Sequence, residues 1–175
     1  MRFTDRPLAI TDVETTGLDA NIHEIVEIGL LVVDQKTLKV KDKYTVKVKP
    51  TNLRHAAKAA LKVCGYNQRD WRSAVDLEVA MEIYSEKTKD CIFLAHNVFF
   101  DWSFITRAFQ KTGVEDFTDY HRVDLFSLAW GRRRELKLEK FNLEELCKQL
   151  GVKPESKPHR ALNGVTAELE VLRKL

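Results

Sequence analysis

The sequence of 175 residues contains few cysteines and no long apolar segment. Its three cysteines, Cys64, Cys91 and Cys147, are odd in number, far apart and without Cys-x-x-Cys spacing, which argues against a disulfide framework and against a zinc site. No apolar run approaches the roughly 20 residues that span a bilayer. The first residues also lack the apolar core of a signal peptide. We therefore expect a cytoplasmic protein with no membrane association.

A strong charge of one sign is also missing. The chain has 29 Lys and Arg against 26 Asp and Glu, a net charge of +3, which is too small to identify a polyanionic partner. Five basic residues cluster between Arg132 and Lys140, but charge runs of this kind are often only solvated surface. The length suits one domain over residues 1–175, and no internal repeat or low-complexity tract divides it.

Three apolar, β-branched segments open the chain, and helical and strand patterns then alternate. The three segments cover residues 8–13, 22–33 and 39–48, and the last alternates apolar with polar residues as a strand with one solvated face does. Helical patterns cover residues 53–63 and 75–89. This order predicts an α/β domain with a mixed sheet.

Shorter signals extend the same α/β pattern. A short apolar strand at 91–95 precedes a helix that carries Asp101 in its first turn. Asp124 and Asn142 each stand where a helix cap is expected, and Gly151 ends the helix that Asn142 opens. We interpret both polar residues as structural.

Two acidic side chains, Asp12 and Glu14, end the first apolar segment. Strand alternation places both on one face, and like charges held this close are tolerated mainly when a cation lies between them. An Asp-x-Glu pair alone is more often an exposed edge or a salt-bridge pair than a metal site. The Thr15-Thr16-Gly17 sequence that follows makes the signal more specific, because glycine permits a sharp exit close to a ligand.

Two further motifs follow, His96-Asn97-x-x-Phe100-Asp101 and His159-Arg160-Ala161-Leu162. Taken alone, His96 and Asn97 are explained by helix capping, and a histidine near a helix start is more often packed than catalytic. In this order and spacing, however, the three motifs resemble the DEDDh family of 3′-5′ exonucleases, which includes DNA polymerase proofreading subunits. The resemblance spans about residues 7–173.

The resemblance implies a ribonuclease H-like fold, a single α/β domain with a five-stranded mixed sheet flanked by helices. It also implies an activity, the hydrolysis of phosphodiester bonds at the 3′ end of single-stranded DNA or RNA with release of nucleoside monophosphates. Mg²⁺ or Mn²⁺ at two sites would be the cofactors, and a polymerase or another protein is a partner that the family suggests. Clusters of carboxylates are the ligands that such hard cations prefer.

The resemblance implies a role for each residue of this sequence that matches a motif of the family. Asp12, Glu14 and Asp101 match the metal ligands, and His159 matches the general base that deprotonates the attacking water. The substrate contacts implied by the first two motifs are Thr15, Thr16, Gly17, Leu18, His96, Asn97 and Phe100. Leu18 would act as a wedge against the last base, and Phe100 would stack on a base.

The sequence departs from the family at Gly164, where the family has its last metal-binding aspartate, five residues after the histidine. Glycine offers no side-chain ligand, and within a helix it costs about 1 kcal/mol relative to alanine, so helix propensity does not explain it. Glu168 lies one turn further along the same helix face and leans toward position 164. One turn is about 5.4 Å, so we expect Glu168 to act through a bridging water.

The missing aspartate leaves three readings of the function open. We expect an exonuclease with attenuated activity. A catalytically silent nucleic-acid-binding domain is the first alternative, and a partner-binding subunit that uses the fold alone is the second.

Overall fold

The computed structural model describes residues 2–175, in which five strands form one mixed sheet. The strands are β1 (Leu8–Thr15), β2 (Ile25–Val33), β3 (Val40–Lys47), β4 (Ile92–Ala95) and β5 (Arg122–Asp124). Their order across the sheet is β3-β2-β1-β4-β5. The pairs β3-β2 and β2-β1 are antiparallel, whereas β1-β4 and β4-β5 are parallel. The first strand of the chain is therefore the central one.

Helices cover both faces of the sheet. They are α1 (Lys58–Val63), α2 (Leu77–Lys87), α3 (Val98–Thr112), α4 (Leu125–Gly131), α5 (Leu143–Leu150) and α6 (Ala161–Leu172), with 3₁₀ turns at Phe3–Asp5 and Leu53–His55. One apolar core joins the sheet to α2 and α3, and a second joins its other face to α4, α5 and α6. None of the helices within residues 2–175 has the length and apolar character needed to cross a membrane.

Alternation along β1 decides which face each acidic side chain meets. Ala9 and Val13 belong to the core under α2 and α3, whereas Leu8 and Ile10 belong to the core under α4, α5 and α6. Asp12 and Glu14 continue the second series at the carboxyl end of the strand. The acidic pair therefore lies on the face that α6 covers.

The predicted α/β architecture with a five-stranded mixed sheet flanked by helices is confirmed. The predicted caps are also confirmed, because Asp124 accepts a hydrogen bond from the backbone N–H of Ser127 and Asn142 accepts one from Glu145. Gly151 ends α5 at a φ of 68°.

One detail of the predicted secondary structure is wrong. Residues 53–63 do not form one helix, because the backbone is extended at Ala56 and Ala57 between the 3₁₀ turn and α1. The N–H of Ala57 donates to the carbonyl of Thr16 at 2.7 Å, which ties this segment to the end of β1. Residues 122–124, which directly precede α4, form the fifth strand.

Candidate active site

A glycine opposite Asp12 brings α6 against the central strands. Asp12 pairs with Gly29 of β2, and Glu14 pairs with Glu27. A β-carbon on Gly29 would lie 2.4 Å from the backbone carbonyl of Ala161, so only glycine lets the first turn of α6 rest directly on the sheet. The segment that carries His159 is thereby held beside the acidic end of β1.

Asp101 joins the acidic pair from the first turn of α3. Its carboxylate is buried, and Oδ1 accepts a hydrogen bond of 3.0 Å from the backbone N–H of Val13, the residue between Asp12 and Glu14. Three carboxylates from two elements therefore meet at one end of the central strand, as the motifs predict.

These carboxylates are held in an environment that disfavours their charge. Burial raises the pKa of Asp12 well above its usual range, and repulsion from Asp101 adds to the rise. Burial raises the pKa of Asp101 to about 8 and, together with repulsion from Glu155, that of Glu14 to about 7. None of the salt bridges formed within residues 2–175 includes Asp12, Glu14 or Asp101.

Carboxylates that lie at one end of a strand without a salt-bridge partner offer the oxygen donors that Mg²⁺ or Mn²⁺ prefers. A bound divalent cation would offset the repulsion that raises these pKa values. The residues present therefore fit a hard divalent cation.

His159 lies beside Glu14 and is fixed by a second acidic residue. Its ring Nδ1 is 3.1 Å from Oε2 of Glu155, and its backbone N–H donates to the carbonyl of Val63 at 2.9 Å. Potential ligand atoms of Glu14, Glu155 and His159 lie within 4.8 Å of one another. Glu155 was not anticipated from the sequence, because it lies in an irregular loop without a motif or a periodic pattern.

In the Thr15 to Leu18 segment, the threonine hydroxyls form hydrogen bonds with nearby backbone groups. The Thr15 hydroxyl donates to the carbonyl of Gly17 at 2.6 Å, and the Thr16 hydroxyl accepts from the backbone N–H of Glu24 at 2.9 Å. A β-carbon on Gly17 would lie 2.2 Å from the His23 ring, so glycine lets the loop close. Leu18 is 83% exposed, and its side chain is free to meet a ligand.

In the second motif, Asn97 is exposed to solvent, whereas His96 and Phe100 are partly buried. Asn97 is exposed, adopts left-handed backbone angles (φ 61°, ψ 56°) and makes no side-chain hydrogen bond that caps α3. The His96 ring Nε2 lies 2.7 Å from the carbonyl of Phe141. Phe100 is half-buried, with its ring centroid 5.1 Å from that of Phe104. The substrate roles of these residues stay predictions.

Gly164 lies inside a continuous α6 and contacts Asp12. A β-carbon at position 164 would lie 2.5 Å from Oδ2 of Asp12, closer than any side chain tolerates without a shift. A side chain at position 164 would therefore require the Asp12 carboxylate to move. As expected for the departure from the family pattern, α6 offers no carboxylate at this position.

Known proteins similar to this chain include a DNA polymerase and a 3′-5′ exonuclease. The DNA polymerase III PolC-type of Thermotoga maritima is 29% identical over 181 residues, which cover 99% of this chain and 12% of the polymerase. The 3′-5′ exonuclease DinG of Staphylococcus aureus (strain USA300) is 34% identical over 107 residues, which cover 61% of this chain and 12% of DinG. The chain thus spans only 12% of the length of either relative.

A solved structure with a similar fold is that of E. coli Exonuclease I in complex with a dA16 oligonucleotide. The TM-score is 0.81 at 18% identity, over 97% of this chain and 40% of that protein. This likeness supports the ribonuclease H-like fold. A sequence model of the exonuclease family RNase_T matches residues 9–172, which is nearly the whole chain. The chain therefore belongs to the RNase_T exonuclease family.

Proposed function

We propose that this chain is a metal-dependent domain that hydrolyses single-stranded DNA or RNA from its 3′ end. The observation that carries the proposal is the meeting of Asp12, Glu14, Asp101 and His159 at the carboxyl end of β1. The direction of hydrolysis is supported by the relative named as a 3′-5′ exonuclease, and the single-stranded substrate by the similar structure that holds dA16. Nucleoside monophosphates would be the products.

The cofactor in this proposal is Mg²⁺ or Mn²⁺, held by Asp12, Glu14 and Asp101, and exonucleases of this family depend on divalent metal ions. Such ions, when bound, supply charge stabilisation at the scissile phosphate and a more acidic attacking water. Two ions are expected from the family.

His159 is the residue of this chain that would move a proton. Its Nδ1 faces the carboxylate of Glu155, so an Nδ1–H donates there and leaves Nε2 as the acceptor. The Nε2 atom would then take the proton of the attacking water, a contribution of about 10²–10⁴ in rate for general base catalysis. Glu155 is a positioning residue in this scheme, because it holds the ring and its tautomer.

Leu18 and Asn97 would contact the substrate at the exposed edge of the site. Both side chains are exposed at the carboxyl ends of neighbouring parallel strands, Leu18 after β1 and Asn97 after β4. An apolar side chain can pack on the face of a terminal base, and an amide can bond to a base or phosphate. Thr15, Thr16 and Gly17 would contribute mainly by shaping the loop that presents Leu18.

A second candidate function is a catalytically silent nucleic-acid-binding domain, and Gly164 is the observation that favours it. An enzyme that keeps three carboxylates and loses the fourth would bind one metal ion less tightly, with reduced or lost turnover. The fold and the exposed edge of the site would still accommodate a strand. A partner-binding subunit is a third reading, for which the described residues offer no specific support.

Digestion of oligonucleotides labelled at the 5′ end separates these functions. We expect single-stranded DNA or RNA to shorten stepwise from the 3′ end in Mn²⁺ or Mg²⁺ and to stay intact in EDTA. Asp101→Asn, which preserves the volume of the side chain, should remove the ladder. Binding of the strand without shortening in either metal would favour the silent domain instead.

A further inference from the structure

Glu168 is a buried carboxylate of α6 that the proposed mechanism leaves unused. It lies one helical turn beyond Gly164 and is 1% exposed. Its Oε1 accepts a hydrogen bond of 2.9 Å from the backbone N–H of His96, at the carboxyl end of β4. Within residues 2–175, its Oε2 has no hydrogen-bond partner. A buried carboxylate oxygen without a partner is costly and needs an explanation.

The surroundings of Glu168 place it in the acidic site. The hydrogen bond to His96 fixes its carboxylate between β4 and α6, and β4 runs parallel to β1. Gly164, one turn earlier on the same helix, contacts Asp12 directly. Repulsion from Asp101 adds to the burial that raises the pKa of Glu168, and Glu168 in turn contributes to the raised pKa of Asp12. Glu168 therefore lies close enough to Asp12 and Asp101, two of the three proposed metal ligands, for electrostatic repulsion between the carboxylates.

We propose that Glu168 supplies the fourth carboxylate of the metal site, its unpartnered Oε2 reaching the ion through a bridging water, in place of the side chain missing at position 164. The inference rests on the proposed metal-dependent function. Glycine at 164 is part of the same arrangement, because any side chain there would meet the Asp12 carboxylate. The longer glutamate reaches back along the helix toward its N-terminus, where helical side chains point.

A purely structural role for Glu168 would require only a hydrogen-bond acceptor, whereas a role in metal binding requires a carboxylate. If Glu168 only accepts the hydrogen bond from His96, a glutamine would serve equally, because its amide oxygen is also an acceptor. Glutamine has nearly the same volume but is a much weaker ligand for Mn²⁺ than a carboxylate. Glu168→Gln therefore separates ligation from packing. Glu170→Gln is the matched control, because Glu170 lies on the same helix and pairs with Arg173 instead.

The test is calorimetric titration of the whole chain with Mn²⁺ alone, without nucleic acid. We expect Glu168→Gln to weaken the binding of Mn²⁺ at least tenfold, Glu170→Gln to leave it within twofold of wild type, and Asp12→Asn to abolish it. The melting temperature in EDTA should not fall in Glu168→Gln, since the variant removes a buried acid and keeps the hydrogen bond. That measurement shows that any loss of affinity is not a loss of fold.

The outcomes distinguish this inference from the proposed function. Wild-type affinity in Glu168→Gln, with binding lost in Asp12→Asn, would overturn the role of Glu168 and leave the metal-dependent function standing. If wild type itself binds no Mn²⁺, both fail. Should Glu168→Gln not fold, Glu168→Asp replaces it, because that variant keeps the charge but withdraws the carboxylate by one methylene. Mn²⁺ affinity within twofold of wild type in Glu168→Asp would also overturn the inference.

Discussion

Gly164 of α6 lies so close to Asp12 of β1 that a β-carbon on the glycine would come within 2.5 Å of the aspartate Oδ2. The residue that departs from the family pattern thus contacts the first of the proposed metal ligands. Position 164 is closed to a side chain unless Asp12 turns away.

Gly164→Asp should therefore have opposite effects on stability and on activity. In EDTA, the steric conflict with Asp12 should lower the free energy of unfolding by about 1–3 kcal/mol, as overpacking does, which exceeds the gain of under 1 kcal/mol from replacing glycine in a helix. In Mg²⁺, a carboxylate at the position that the family uses should raise nuclease activity about tenfold or more. Denaturant unfolding and the rate of digestion measure the two effects.

Gly164→Ala is the matched control for this variant, because it introduces the same β-carbon without a ligand. It should lose stability and gain no activity. Equal rates of digestion for the alanine and aspartate variants would show that a carboxylate at 164 does not reach the metal. In the double variant with Glu168→Gln, the glutamine should cost less activity than it does in the wild-type background.

Divalent metal should stabilise the fold. A ligand at about 100 times its Kd contributes roughly 2.7 kcal/mol to the free energy of unfolding, and for a domain of this size about 1 kcal/mol raises Tm by roughly 2–4 °C. We expect millimolar Mn²⁺ to raise Tm by about 5–10 °C in wild type and to leave Asp12→Asn unchanged. Identical Tm values for wild type with and without Mn²⁺ would exclude a metal site at the end of β1.

The stability of the metal-free protein should fall as pH rises from 5 to 8. The folded state raises the pKa of Asp101 to about 8 and that of Glu14 to about 7, whereas both are near 4 when unfolded. Between these values the folded protein holds more protons than the unfolded chain, so unfolding becomes easier with each step in pH. The slope is at most about 1.4 kcal/mol per pH unit for each group.

Thermal melting in EDTA at several pH values measures this dependence. Asp101→Asn removes one of the titrating groups, so its Tm should fall less steeply over the same range. Mn²⁺ should reverse the trend, because the ionised carboxylates bind the cation. If the Tm of the metal-free protein is constant or rises between pH 5 and 8, the pKa values of these carboxylates are not raised in the folded state.

Single-stranded nucleic acid should bind in a salt-dependent manner with a contribution from Leu18. The logarithm of the affinity should fall with the logarithm of salt concentration by about 0.7 for each neutralised phosphate. Leu18→Ala should weaken binding of a short DNA oligonucleotide without changing Tm, because the side chain is exposed. Tyr120→Ala is the control, since Tyr120 is similarly exposed but precedes β5, at the opposite end of the sheet from the site. Equal losses in both variants would exclude a specific role for Leu18.

Strand and helix patterns predicted most of the fold, because most elements are long enough to show the spacing of apolar residues typical of a strand or a helix. β2 is buried along its whole length, as its unbroken apolar run indicates, and the cap residues lie where the helices begin. The sequence does not mark Arg122–Asp124 as a strand, because three residues are too few to show alternation. The break at Ala56 and Ala57 was missed because a hydrogen bond to the distant Thr16, not local propensity, bends the chain there.

Site residues that belong to local motifs could be predicted from the sequence. Contacts between residues far apart in the sequence could not. The three assigned ligands are brought together as the motifs predict, and the i+4 spacing from Gly164 pointed to Glu168. The contact of His159 with Glu155 is local, but it lies in an irregular loop that no motif or periodic pattern marks. The unpartnered oxygen of Glu168 and the contact between Gly164 and Asp12 depend on packing between distant elements. No sequence spacing encodes them.

Metal-dependent 3′-5′ hydrolysis at the end of β1 is tested most directly with a single-stranded DNA oligonucleotide labelled at its 5′ end. Wild type, Asp101→Asn and Glu170→Gln are each incubated with it in Mn²⁺. We expect a ladder that shortens one nucleotide at a time from the 3′ end with wild type and Glu170→Gln, and none with Asp101→Asn or in EDTA. An equal ladder from Asp101→Asn, or an intact strand with Mn²⁺-bound wild type, would contradict this expectation.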